Sequence, residues 1–264
     1  MIMNCKELFS SLKMTLVPFL AYWDKNRSRF KHHPNIPESF RMLIVGASGC
    51  GKTNLLFNML LLPDFLDYDN LIIFSKTSQQ AEYQLLYHGL KNGLSKNSLI
   101  KIFENQKSFS DSMTIEEICS TYSSLYKEEN NISIQMFQKT DQIMNPSDLN
   151  PNKKNLIIFD DCVNMKNQSV MESYYTRGRH NNCNCIYLSQ SWFELPKKSI
   201  RNNSNFVILF ELGKRDSSLI YSDIFSNVLE KDEWNMLTSS HWNSQPYSYI
   251  AFDKDKKNIK KTIF

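Results

Sequence analysis

The 264-residue chain has no run of about 18 uninterrupted apolar residues, so no transmembrane helix and no membrane insertion are expected. A cysteine framework is also missing. Six cysteines, at 5, 50, 119, 162, 183 and 185, follow no regular spacing, and there are only seven glycines. These absences exclude a small disulfide-stapled secreted scaffold and imply reduced thiols in a cytosol-like compartment. No second pair of zinc ligands stands near His180, Cys183 and Cys185, and the spacing of the two cysteines puts both thiols on one face of a buried strand. The opening "MIMNCKELFSSLKMTLVPFLAYW" comes nearest to a signal peptide. Lys13 interrupts its apolar part and no small-residue cleavage pattern follows, which rejects that reading. Neither charge sign dominates: 31 Lys and Arg against 27 Asp and Glu leave +4, which permits a nucleic-acid partner without requiring one.

Short apolar runs recur along the chain: "RMLIV" at 41–45, "NLIIFSK" at 70–76, "NLIIFDD" at 155–161, "NCIYLSQ" at 184–190 and "NFVILFEL" at 205–212. Near-continuous Ile, Leu, Val and Phe over four to eight residues is the pattern of parallel strands buried on both faces. Amphipathic segments such as "TNLLFNMLL" at 53–61 and "SSLIYSDIFSNVL" at 217–229 separate them, which predicts a βαβ architecture. The division expected is an N-terminal extension over 1–40, an α/β core over 41–230, and a C-terminal helix and β element over 231–264. Within the polar stretch 77–152 the apolar runs at 98–104 and 132–137 predict one or two further strands, alongside helices and a flexible loop. The tail predicts a strand, a Lys-rich turn and a short return strand.

Gly46-Ala47-Ser48-Gly49-Cys50-Gly51-Lys52-Thr53, followed by Asn54, fits the spacing G-x-x-x-x-G-K-[ST] at every specified position. A strand precedes it and a helix follows. Its backbone N–H groups converge on phosphate oxygens and the helix N-terminus adds favourable partial charge. Lys52 then reaches the β- and γ-phosphates, and the Thr53 hydroxyl sits on Mg²⁺. Cys50 is read as a small residue that fits the loop. "LIIFDDC", Leu156 to Cys162, is an apolar strand ending in two acids: Asp160 for the Mg²⁺ shell, Asp161 to orient or deprotonate the attacking water. No Asn-Lys-x-Asp guanine-reading motif occurs, so the nucleotide expected is ATP. Gln190, at the end of the next strand, can donate and accept toward γ-phosphate and water as a sensor.

Arg177 and Arg179 precede that strand, at the edge away from the nucleotide, so a catalytic arginine here serves a neighbouring subunit in a ring. The alternative is surface or phosphate-backbone arginines. Trp192 and Phe193 beside Lys197, Lys198 and Arg201 form an aromatic and basic loop suited to gripping nucleic acid; a solvated loop over a core-packed Trp192 is the competing reading. The lysines at 254, 256, 257, 260 and 261 make a basic tail, partly offset by Asp253 and Asp255; a solvated turn is the competing reading.

"GASGCGKTNLL", "LIIFDDC" and above all "RGRHNNCNCIYLSQSWFELPKKSIRNNSNFVILF" resemble the genome-packaging ATPases of large DNA viruses, virophages and Polinton-type elements, within the FtsK/HerA superfamily. The resemblance covers about Arg41 to Glu211 and neither terminus. It implies a RecA-like P-loop ATPase core with a central, mostly parallel sheet flanked by helices. It also implies an ATP- and Mg²⁺-dependent ring motor that moves double-stranded DNA into a capsid, docked on a capsid or portal-vertex protein, in the virion or at the assembly site in an infected cell. Carried over, Lys52, Thr53, Asp160 and Asp161 bind and hydrolyse, Gln190 senses, and Arg179 is the finger in trans. The commoner Asp-Glu ending of the acid motif is Asp-Asp here, so Asp161 must hold water at a different reach. The rival readings are another DNA pump or helicase of this type, and an ATP-dependent switch or scaffold that does not translocate.

Overall fold

The computed structural model describes residues 29–104, 113–125, 130–163, 165, 168–261 and 263–264. The rejected signal peptide, with Cys5 and Lys13, lies outside the described residues. So do 105–112 and 126–129 of the polar stretch.

Six parallel strands form where the apolar runs predict them: β1 (Arg41–Val45), β2 (Asn70–Ser75), β3 (Ser133–Phe137), β4 (Asn155–Asp160), β5 (Cys183–Ser189) and β6 (Phe206–Phe210). β7 (Tyr249–Asp253) and β8 (Asn258–Lys260) are the strand and return strand of the tail, and both extend the same sheet antiparallel. Among the described residues the sheet order is β3-β2-β4-β5-β1-β6-β7-β8.

The reason for unbroken apolar runs is visible in the burial. Alternate residues face opposite sides of a strand, and here both sides are covered. Leu156 and Ile158 of β4 pack toward α1 (Lys52–Leu61), α2 (Ala81–Lys91), α3 (Lys96–Glu104) and α4 (Ile115–Leu125). Ile157 and Phe159 face α5 (Ser169–Arg177), α6 (Lys214–Ile220) and α7 (Lys231–Trp242). Truncating the fully buried Phe159 to Ala would cost about 3–5 kcal/mol. Cys183 and Cys185 both belong to the second layer, beside Tyr174 and Tyr175.

One predicted strand is corrected. Residues 98–104 are helical, within α3. Leu99 and Ile102, three apart, are buried while Lys101 and Glu104 are exposed, so the segment obeys a helical period. A short apolar run is ambiguous between strand and helix until packing decides.

The topology places the site. β1 lies between β5 and β6. The chain leaves β1 toward β2 on one side, and leaves β5 toward β6 on the other, so the order reverses at β1. Crevices at such a switch point, beyond the carboxyl ends of the strands, are where open α/β sheets bind ligands. Among the described residues no helix is long and apolar enough to cross a membrane.

Candidate nucleotide site

β1 ends at Val45 opposite Ser189, and the Gly46 N–H donates to the Ser189 carbonyl at 3.2 Å. A Cβ on Gly46 would lie 2.6 Å from the Cys50 Sγ and from the Phe210 Cβ, so only glycine allows the turn to close. Gly51 sits at φ 99, the left-handed region that favours glycine, and starts α1 with no side-chain cap. The unpaired N–H groups of the first helical turn are therefore open to an anion, with the helix dipole behind them. The Lys52 ammonium donates to the carbonyls of Gly46 and Ala47, each at 2.7 Å, which holds it over the loop. Burial pushes the Cys50 thiol above its ordinary value, against the pull of neighbouring Lys52, so it is not a thiolate at neutral pH.

A cleft of about 300 Å³ opens beside the loop, with Lys52, Thr53, Thr77, Asp160, Asp161 and Gln190 on its walls. Asp160, the last residue of β4, is only 8% exposed. The Tyr83 hydroxyl on α2 donates to its carboxylate at 2.7 Å and the Ser75 hydroxyl, at the end of β2, at 3.4 Å. Burial pushes the Asp160 carboxyl above its usual range; the Tyr83 bond opposes this and the Asp161 charge adds to it. Burial, followed by the Asp160 charge, raises Tyr83 strongly, so its hydroxyl stays a donor. Asp161 turns off the strand at φ 53, a conformation that costs a non-glycine residue on the order of 1–3 kcal/mol. That turn sends its carboxylate toward β5, where the Gln190 amide donates to it at 3.5 Å. β5 lies between β1 and β4.

The donor set suits Mg²⁺ with a nucleotide. Among the described residues no group of three or more His, Cys, Asp or Glu could hold a metal alone. A small hard cation that keeps its waters and takes phosphate oxygens needs only one or two protein oxygens. The Asp160 carboxylate and the Thr53 hydroxyl, both on the walls of the cleft, would supply those.

Arg177 ends α5 and Arg179 lies in the helical turn Gly178–Asn181, both exposed. Cys183, just beyond, pairs with Asn155 at the start of β4. The arginines therefore stand at the amino-terminal edge of the sheet, a strand length of about 20 Å from the acids at its other edge.

The basic loop is corrected in two places. Trp192 is fully buried and its indole N–H donates to Asp223 at 2.9 Å, so it cannot stack on a base. Arg201 is 8% exposed and pairs with the same carboxylate at 2.5 Å, with the Lys197 ammonium on it at 3.0 Å. Burial would raise the Asp223 carboxyl, but Trp192, Lys197 and Arg201 together hold it below its ordinary value. Lys198 stays exposed, and so does Phe193, with the Arg215 guanidinium 3.7 Å from its ring centre.

Two groups had no sequence signal. Tyr83 is 77 positions from Asp160 and reaches it only because α2 packs over β4's end. Tyr247, in the loop before β7, lies against Gly51.

Fold and site define a P-loop ATPase. Residues 7–187 match the family model described as "Type III restriction enzyme, res subunit", and the chain belongs to that family. The phosphate loop, both acids, Arg177 and Arg179 lie within the match; Gln190 and the basic loop after it lie beyond. Among solved structures the chain is similar to the genome packaging NTPase B204 from Sulfolobus turreted icosahedral virus 2 in complex with ATP-gammaS, at 12% identity and TM-score 0.47, over 85% of this chain and 97% of that one. It is also similar to VirB4 of Thermoanaerobacter pseudethanolicus, at 10% identity and TM-score 0.46, over 88% and 95%. No curated protein matches the chain.

Proposed function

We propose that this chain is a Mg²⁺-dependent ring motor that hydrolyses ATP to translocate double-stranded DNA, and that its cargo is a viral genome moved into a capsid. The observation that carries the reading is the division of labour along β5. Gln190 closes its carboxyl end beside Asp161, while Arg177 and Arg179 stand exposed ahead of its amino end. Among the described residues the cleft walls carry two acids and a polar amide but no arginine, and an arginine from the next subunit completes them.

Bound with the nucleotide, Mg²⁺ supplies charge neutralisation at the β- and γ-phosphates. Lys52 leaves its two loop carbonyls to meet the same oxygens, and the Thr53 hydroxyl and the Asp160 carboxylate would hold the ion. Asp161 orients the attacking water and takes its proton, and Gln190 fixes that water and reads the γ-phosphate. Arg179 of a neighbour then stabilises the developing charge, a contribution of about 10³–10⁵ in rate. A ring of about five or six subunits closes this relation. Lys198 is a phosphate contact for the DNA, and a capsid or portal-vertex protein is the dock. The block from Arg177 to Phe210, with its resemblance to packaging ATPases, supports the cargo.

A second reading is favoured by the family match: a DNA motor working in restriction rather than packaging. Both readings require duplex DNA to stimulate turnover. The steady-state ATPase rate with and without long double-stranded DNA, alongside Arg179→Ala and Asp161→Asn, tests them. Stimulation lost in both variants is expected. Turnover unaffected by DNA would reject the motor in favour of an ATP-dependent switch, and vigorous turnover by a demonstrated monomer would reject the arginine in trans. Cleavage of unmodified DNA by a complex containing this chain would select restriction over packaging.

A further inference from the structure

Tyr247 is 70% exposed and holds a left-handed backbone, φ 62, which a bulky aromatic residue seldom adopts. The loop that carries it is tied down on both sides. The Ser248 hydroxyl donates to the Gln245 carbonyl at 2.6 Å, the Ser244 hydroxyl donates to the His241 carbonyl at 2.6 Å, and the His241 ring lies 2.9 Å from the Tyr249 carbonyl. A Cβ placed on Gly51 would lie 3.2 Å from Cδ1 of the Tyr247 ring and 3.6 Å from its Cβ and Cγ, so the side chain rests against the phosphate loop itself. Other exposed aromatics are already engaged: Phe193 carries the Arg215 guanidinium, and Phe264 packs on Phe65. Among the described residues no ring or cation packs on Tyr247.

Its place in the sheet says what it faces. Tyr249 opens β7 opposite Phe210, the last residue of β6, and β6 flanks β1. Tyr247 therefore lies beyond the carboxyl edge of β6, while the acids and Gln190 lie beyond β4 and β5, across the loop. A nucleotide stretched over the loop with its terminal phosphate at the acids must direct its sugar and base the other way. One ribose is all that separates phosphate from base, so the base arrives at Tyr247.

We propose that Tyr247 is the stacking platform for the nucleotide base and fixes which end of the nucleotide points away from the acids. The inference rests on the nucleotide reading of the loop. It adds that binding energy comes from the base as well as from the phosphates.

Isothermal titration of the full chain with Mg²⁺-ATP and with Mg²⁺-tripolyphosphate, which has phosphates and no base, separates the two. Tyr247→Gly removes the ring and tolerates the positive φ, and Tyr247→Phe keeps the ring. Stacking predicts that Tyr247→Gly weakens ATP by about 5- to 150-fold, leaves tripolyphosphate within about twofold, and that Tyr247→Phe binds ATP as the parent does. Equal ATP affinity for Tyr247→Gly and the parent would overturn the platform and leave the nucleotide site standing. So would equal weakening of both ligands, since that reports a damaged phosphate loop. A parent chain that binds neither ligand would overturn the nucleotide reading and this inference with it. Melting curves for both variants confirm that each is folded when titrated.

Discussion

Replacing Tyr83 by Phe removes one oxygen and leaves the packing of a fully buried ring, edge-on to Phe57 at 5.2 Å between centres, in place. The lost contact is the 2.7 Å bond from its hydroxyl to the Asp160 carboxylate. A hydrogen bond to a charged group contributes about 1.5–3 kcal/mol, and among the described residues the carboxylate keeps only the longer bond from Ser75. In a chain of this size class each kcal/mol moves the melting temperature by about 2–4 °C, so the variant should melt roughly 3–12 °C lower at pH 8. The pH dependence is the sharper test. Burial already raises Asp160 above its unfolded value, so its contribution to stability is complete below the unfolded pKa and falls as pH rises through the folded one. Without the Tyr83 donor the folded value rises further and the ionised form becomes costlier. The gap between parent and variant must therefore widen as pH rises from the acid side, where Asp160 is protonated, to pH 8. At acid pH, with Asp160 protonated, only a neutral hydrogen bond of about 0.5–1.5 kcal/mol is missing. Thermal melts followed by circular dichroism across that range read the gap. Equal melting at pH 8, or a gap that stays constant with pH, would refute the argument that this tyrosine supports a buried carboxylate.

Asp160→Asn should melt higher than the parent at pH 8, by an amount that shrinks toward acid pH, while ATP turnover disappears; a lower melting point at pH 8 would contradict the burial argument. Asp223→Ala strands a buried Arg201 and should cost about 3–5 kcal/mol by denaturant titration, whereas Lys198→Ala should leave stability within about 0.5 kcal/mol and weaken duplex-DNA binding. Gly51→Ala forces a side chain into φ 99 and against the Tyr247 ring, and should lose at least about 1 kcal/mol of stability together with ATP affinity; an unchanged denaturation midpoint would show that the loop relaxes freely. Gln190→Ala should cut turnover far more than ATP binding, because its amide meets Asp161 rather than the loop; equal losses in both measurements would count against a role confined to the chemical step.

The residue order by itself determined the elements whose cause is local. The phosphate loop is eight consecutive residues, so its turn, its left-handed glycines and the helix after it follow from short-range sterics. The strands were readable because burial on both faces demands an unbroken apolar run, and the acid pair was readable because it directly continues one. Local pattern failed at 98–104, where the same apolar composition serves a helix once Leu99 and Ile102 find a core on one side. Tertiary structure alone decided the contacts between distant stretches. It set Tyr83 against Asp160, turned Trp192 and Arg201 inward onto Asp223, and laid Tyr247 on Gly51. No spacing rule announces those pairs, because each depends on the path of the chain across the sheet. A basic residue in a loop looks alike whether it faces solvent or a buried carboxylate, and only the packing of α6 and the turn after it chose between them.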